Sequence, residues 1–390
     1  MQETSSKTLL IGDIGGTNAR FALANPDGVA FSEPRTLQCA EFSTSVAAMK
    51  QYLDDVAAPA PDAVCLAAAG PVIDESIKVT NNHWNLSAAE IRGDLGVERV
   101  RLLNDFEAVA WSIPYIDSHY LEAVGQVSQQ DLPDGDFKVA IVGPGTGLGT
   151  GGLMRRDARY IPVVGEGGHI GFAPKSKVQI EVLEVLRERF ERVCVERLLS
   201  GSGIENIYWA LHVLRGDNRA ALSAADIFKA AETGSDPIAA DATQLFFEIL
   251  GQVAGDIALV LGAQDGVYLA GGIVKRYPKM LHISGFRNAF ESKGHHRSMM
   301  ERIPTKLITY GEPGLLGAAH CALDSEDWQD YRLPDPQELI PKGPEELRSV
   351  LAEVRLFDAH ILLDDLKPYI DLVTDELGQT LTDEERVMTG

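Results

Sequence analysis

Asp13-Ile14-Gly15-Gly16-Thr17-Asn18 follows the aliphatic run Leu9-Leu10-Ile11 and leads into Arg20-Phe21-Ala22-Leu23. Further along, Gly143-Pro144-Gly145-Thr146-Gly147 follows Val139-Ala140-Ile141-Val142 and leads into Gly152-Leu153-Met154. Each stretch reads as strand, tight turn, strand. A glycine turn has no side chains in the way, so its backbone N–H groups and a threonine hydroxyl can approach phosphate oxygens closely. One such turn is ordinary, because hairpin turns take glycine for positive φ. Two of them with matched flanking strands predict hairpins that grip a nucleotide triphosphate from both sides, and hence phosphoryl transfer.

Outward from these turns, β-like and helical patterns alternate, which predicts an α/β architecture with mixed sheets. A helical segment near 43–55 precedes a buried-strand candidate, Ala63-Val64-Cys65-Leu66-Ala67. Ser87 with Glu90 three residues on predicts a capping box opening the next helix. Val100-Arg101-Leu102-Leu103 is a further strand, ending on Asn104-Asp105. Val163-Val164-Gly165-Glu166-Gly167-Gly168-His169 is followed by a long helical run expected over about 179–199 and a helix-rich stretch over 203–262. Gly266-Val267-Tyr268-Leu269 then runs into Gly271-Gly272, and 306–322 supplies one more strand and a helix.

With 390 residues and 45% hydrophobic content, the chain can build more than one lobe around a substantial core. Its net charge of −22 argues against nucleic acid or an anionic membrane as partner. Cys39, Cys65, Cys194 and Cys321 form no CxxC pair and read as reduced, buried side chains rather than a disulfide frame or zinc site. No signal peptide or membrane-spanning run is expected, so the reading is a cytoplasmic protein. Composition shifts near 324: residues 324–390 hold 18 Asp and Glu against 6 Lys and Arg, contributing −12. After a proline-rich linker, Leu347, Val350, Leu351, Val354 and then Leu366, Tyr369, Ile370, Val373 repeat at helical spacing, predicting an acidic helical appendage.

Five motifs together carry a resemblance: Gly12-Asp13-Ile14-Gly15-Gly16-Thr17-Asn18-Ala19-Arg20, Leu103-Asn104-Asp105-Phe106, Gly143 to Gly149, Gly165-Glu166-Gly167-Gly168-His169 and Leu269-Ala270-Gly271-Gly272-Ile273. In order and spacing the chain resembles the bacterial-type glucokinases, over about 8–322, within the actin-like ATPase and sugar-kinase superfamily. That resemblance implies a two-lobed actin-like (ribonuclease H-like) α/β fold with a central cleft. The small lobe would comprise 1–115 completed by 308–323, the large lobe 116–307, and the extension 324–390 lies outside the pattern. It implies transfer of a phosphoryl group from ATP to the 6-hydroxyl of glucose, with Mg²⁺, and a homodimer.

By the same resemblance Asp105 is the base that takes the hydroxyl proton, a step that needs a carboxylate within hydrogen-bond reach. On position alone, a helix N-cap is the commoner role for such an aspartate. Asn104, Glu166, His169 and Glu196 match sugar-hydroxyl ligands, combining strong acceptors with amide and imidazole donors. Glu196 on a helical run would otherwise pass for an exposed helix charge. Gly12, Asp13, Ile14, Gly15, Gly16, Thr17, Gly145, Thr146, Gly147, Gly271 and Gly272 match the ATP site, and Ser200-Gly201-Ser202-Gly203 its adenine and ribose side. Asp13 would orient Mg²⁺ through water, since that ion keeps its waters and takes few carboxylates. No cysteine cluster follows His169, unlike the zinc-bearing repressor and kinase relatives. The rivals are another actin-like kinase, acting on an N-acetylhexosamine or a carboxylate, and a non-catalytic sugar sensor. Two acidic ligands disfavour an anionic substrate, and an intact Asp105 with both turns disfavours the sensor.

Overall fold

β1 (Leu9–Ile14) is hydrogen-bonded on both edges and organises the first sheet. β2 (Asn18–Ala24) returns antiparallel across the first glycine turn, and β3 (Phe31–Gln38) pairs outside it. On the other side lies parallel β4 (Ala63–Ala68). After the small hairpin of β5 (Ser76–Lys78) and β6 (Asn85–Ser87), β7 (Arg99–Asn104) completes the order β3-β2-β1-β4-β7. All six residues of β4 are buried, as expected of a parallel strand covered on both faces. The helices Ser45–Asp55 and Ala88–Leu95 lay Val46, Met49, Tyr52 and Ile91 against Leu10, Phe21, Val64 and Leu66. The second opens on the expected cap, with the Glu90 N–H donating to Ser87 Oγ at 3.4 Å. The computed structural model describes residues 8–24, 31–127, 131–217 and 221–323. The acidic extension and its two expected helices lie outside the described residues.

The second sheet holds β8 (Leu121–Ala123), β9 (Phe137–Pro144), β10 (Leu148–Arg156), β11 (Arg159–Gly165), β12 (Gly266–Leu269) and β13 (Thr305–Ile308), in the order β11-β10-β9-β12-β13-β8. β9 and β10 are the second predicted hairpin. One face packs against the helices Lys177–Arg187, Gly201–Leu214, Ala224–Thr233 and Pro237–Leu261. The last of these corrects the expectation that no apolar run reaches membrane-spanning length. It has 25 residues and is long and apolar enough by composition, but 67% of its most apolar stretch is buried, with Phe246, Leu250 and Ala254 in the core.

Among the described residues, two helices pack on both sheets: Asp105–Ser112, and the returning Pro313–Leu323. They cross so closely that a Cβ on Gly317 would lie 1.6 Å from the Ala108 carbonyl oxygen. Val109, Ala110 and Leu316 cover Val139, Ile141 and Leu153 of the second sheet, while the returning helix also packs on β1 and β4. The residue expected to act as base therefore starts an element that both sheets hold.

The long helix expected over 179–199 is not continuous. It spans Lys177–Arg187, and Glu196 sits instead on a short 3-10 turn, Val195–Arg197. Beyond Arg187 the apolar stripe gives way to Glu188-Arg189-Phe190-Glu191-Arg192. The backbone instead pairs with 170–172: Phe172 N–H donates to Val193 O at 3.1 Å and Val195 N–H to Ile170 O at 3.0 Å.

Candidate active site

The first turn is closed by Gly15 N–H donating to Asn18 O at 2.9 Å and braced from outside. Asn82 Nδ2 donates to Gly15 O at 3.0 Å, and its own Oδ1 accepts from Trp84 N–H. Cys39 N–H donates to Thr17 O. Neither Gly15 nor Gly16 has left-handed backbone. A Cβ on Gly15 would meet nothing nearer than Asn18 O at 3.6 Å, so packing does not demand glycine there. Thr17 is exposed. Gly12 and Ile14 are buried in β1, where the bare Cα of Gly12 admits Leu66 and Phe21.

The second turn is a hub. Gly145 N–H donates to Gly147 O at 2.8 Å, and Gly145 O accepts from Gly201 N–H at 2.9 Å, which seats the start of the Gly201–Leu214 helix beside it. Thr146 is exposed at the tip. Leu148 N–H donates to Glu196 Oε2 at 2.9 Å, and a Cβ on Gly147 would lie 2.6 Å from that same oxygen. Glu196 therefore props the turn and stands beside it. Gly271, at φ 90°, packs on Pro144, where a Cβ would meet the carbonyl oxygen at 2.5 Å, so there glycine is required. It brings exposed Gly272 and the Gly272–Arg276 helix to the same hairpin. Gly167 N–H donates to Thr150 Oγ1 at 3.0 Å, and Gly168 lies against Leu148 O. This fixes the turn bearing Glu166 and His169, whose Oε2 and Nε2 stand 4.0 Å apart on exposed side chains.

The helix N-cap is Asn104, not Asp105. Asn104 Oδ1 accepts from Phe106 N–H at 2.9 Å, and Nδ2 donates to Gly70 O at 3.0 Å. Asp105 is the first helical residue and not the cap that position alone suggests, although its Oδ1 also accepts from Phe106 N–H at 3.0 Å. Burial pushes its carboxyl up to about 6, helped by the negative charge of Asp13 and, less, of Glu166, against backbone N–H groups that favour ionisation. Asp105 thus feels one carboxylate from the first sheet and one from the turn that follows β11 of the second. Asp13 is also raised to about 6, by burial first, with Arg20 opposing. Arg20 Nη1 lies 3.9 Å from Asp13 Oδ2 and Arg20 Nε 3.2 Å from Glu312 Oε2. Gly314 leaves room for the Asp13 carboxylate at the start of the returning helix.

Sequence reading passed over Arg20, Asn82, Thr150 and Gly314. Arg20 was within reach, since counting back across the turn makes it the cross-strand partner of Asp13, an opposed charge pair. The others act through contacts remote in sequence. Among the described residues no group of three or more His, Cys, Asp or Glu is placed to hold a metal by itself.

A family profile described as Glucokinase matches residues 10–325. A glucokinase of Hahella chejuensis is 39% identical over 317 residues, 81% of this chain and 97% of the relative. One of Zymomonas mobilis is 42% identical over 310 residues, 79% and 95% respectively. A crystal structure of a glucokinase from an Antarctic psychrotroph superposes with a TM-score of 0.73 at 32% identity, over 82% of this chain and 99% of that one.

Proposed function

The chain belongs to the glucokinase family, and from that premise we propose that it transfers the γ-phosphoryl group of ATP to the 6-hydroxyl of D-glucose, with Asp105 as base. Its fold is the two-lobed actin-like ATPase fold that the motifs implied. The observation that carries the residue assignment is Asp105 itself: a half-buried carboxylate beginning a helix held by both sheets, its charge coupled to Asp13 and Glu166. Asn104, Glu166, His169 and Glu196 bind the sugar hydroxyls. The two turns, Gly15-Gly16-Thr17 and Gly145-Thr146-Gly147, receive the phosphates, with Gly12, Asp13 and Ile14 bordering the first and Gly271-Gly272 the nucleotide side of the second.

The proton leaves the 6-hydroxyl for Asp105 as the oxygen attacks phosphorus, so positioning and charge stabilisation supply most of the rate. The donor set suits Mg²⁺: Asp13 is a half-buried carboxylate beside the phosphate turn, and this ion takes few protein ligands beside phosphate oxygens and water. When bound, the ion would neutralise charge on the phosphates. Sugar binding draws the lobes, 1–115 with 308–323 and 116–307, together and excludes water. The protein works in the cytoplasm as a homodimer, which light scattering on the purified protein tests.

A coupled assay of purified protein and Mg-ATP across glucose, other hexoses and N-acetylhexosamines tests the assignment. Glucose is expected to give the highest kcat/KM, and no phosphorylation of glucose would overturn it. The raised Asp105 carboxyl adds a pH signature. Because the ionised form takes the proton, kcat/KM for glucose should fall as pH drops through about 6, and a profile flat down to pH 5 would remove Asp105 from the role. The 324–390 extension lies almost wholly beyond the family match, which ends at 325. Truncation after 324 should therefore keep kcat within a few-fold of the full chain while lowering melting temperature or solubility. A folded but inactive truncation would place part of the active site in the extension.

A further inference from the structure

The second hairpin carries more glycine than its turn uses. Gly143 and Gly149 face each other as register partners across β9 and β10, and Gly151 follows on the same strand. None of the three has left-handed backbone, so conformation does not require glycine at any of them. A side chain from elsewhere accounts for two of them. A Cβ built on Gly149 would lie 1.8 Å from Phe106 Cε2, and one on Gly143 would lie 2.6 Å from Phe106 Cζ. At Gly151 the nearest Phe106 atom is the Cβ, at 3.8 Å. Gly143 also meets the backbone of Ala270, whereas at Gly149 the three nearest atoms all belong to the Phe106 ring. The ring therefore occupies a bare patch of sheet that two opposed glycines leave open. Phe106 follows Asp105 directly, and its N–H donates to both Asn104 Oδ1 and Asp105 Oδ1. The patch lies two residues from either end of the Gly145–Gly147 turn, about 7 Å along the strand at roughly 3.3 Å per residue.

We propose that Phe106 is a positioning residue: its ring, seated on Gly143 and Gly149, sets the distance between the Asp105 carboxylate and the phosphate-binding turn of the second hairpin. The inference rests on the reading of Asp105 as base and of that turn as the donor site. The ring is seated against the sheet at Gly143 and Gly149, so its effect should fall on the alignment of bound groups and not on their binding. A displacement of about 1 Å at this point is enough to cost about 10²-fold in rate. The surplus glycines of the Gly143–Gly149 motif thus have two separate employments, with Gly145 clearing the way for a ligand and Gly143 and Gly149 clearing the way for Phe106.

Gly149→Ala, Phe106→Leu and the double variant test this, with kcat, glucose affinity by calorimetry and melting temperature measured on each full-length protein. Gly149→Ala should lower kcat by about 10²-fold, as a methyl 1.8 Å from the ring drives it aside, with glucose affinity within about threefold of the parent. Phe106→Leu should lower kcat by about tenfold. In the double variant Cε2 and Cζ, two of the three atoms nearest the methyl, are gone and the leucine can turn its Cδ atoms aside, so kcat should recover at least about tenfold over Gly149→Ala. A Gly149→Ala protein within twofold of parental kcat overturns the inference. So does a double variant no faster than the alanine single, or a kcat loss matched by an equal loss of glucose affinity. Should Gly149→Ala not fold, Phe106→Leu decides alone, and parental kcat there overturns the proposal. Asp105→Asn run alongside separates the two readings. If it keeps parental turnover, the base assignment has failed; if it is inactive while Gly149→Ala is normal, only the role of Phe106 has.

Discussion

Asp105→Asn is expected to give a protein that still binds glucose, turns over about 10²–10⁴-fold more slowly and melts at a higher temperature than its parent. The loss follows from chemistry: the amide keeps the shape and an acceptor for Phe106 N–H but cannot take a proton. The gain in stability follows from the raised carboxyl. Its pKa rises from 3.8 to about 6 on folding, so the folded chain holds this proton more tightly than the unfolded one. Stability drawn from the protonated group is present below 3.8 and lost as pH rises through 6, leaving a buried charge that opposes folding at neutral pH. Asparagine carries no such charge. The difference in melting temperature should be largest near pH 7 and should close toward pH 4. A variant turning over within a few-fold of the parent would remove Asp105 from the role of base, and a lower melting temperature at pH 7 would show that the charge is compensated in place.

Gly145→Val should raise KM for ATP by roughly tenfold or more and lower turnover, with glucose affinity in the binary complex and melting temperature little changed; tenfold corresponds to about 1.4 kcal/mol. No heavy atom lies within 4 Å of a Cβ at this position, and the backbone is not left-handed. A Cβ here has open space, so the branched side chain is expected to meet chiefly what approaches the turn from outside. Steady-state kinetics in ATP, calorimetry with glucose and a thermal melt separate the outcomes. Unchanged ATP kinetics with a lower melting temperature would make the turn structural and end the argument from paired phosphate hairpins.

How much of this was legible depended on how local the cause was. Both hairpins, the helix cap at Ser87 and strands β4 and β7 follow from alternation and turn chemistry within a few residues, and each lies where it was expected. Glu196 was placed on a helical run continued from about 179, yet Phe172, Gly171 and Ile170 pair with 193–195 and break that run. Asp105 and Asn104 exchanged the capping role because adjacent residues offer the same oxygen to the same N–H, and only the register of the helix decides between them. Phe106 and Asn82 act across long sequence separations, Asn82 on a turn 67 residues earlier, and no periodicity reports such contacts. Even so, glycine at Gly143 and Gly149, outside the turn proper, was a visible excess that wanted a bulky partner.

The returning helix has a consequence for how the protein comes to be. Pro313–Leu323 covers β1 and β4, strands completed by residue 68, so the first sheet leaves the ribosome long before its cover does. At 5–20 residues per second, the roughly 250 intervening residues take about 12–50 s to synthesise. Through that interval the nascent chain carries an apolar β-sheet surface whose native partner has not been made, and such pairing of distant segments is slow to form even once both are present. Folding yield should therefore respond to whatever shields that surface until the last turn of the kinase body emerges.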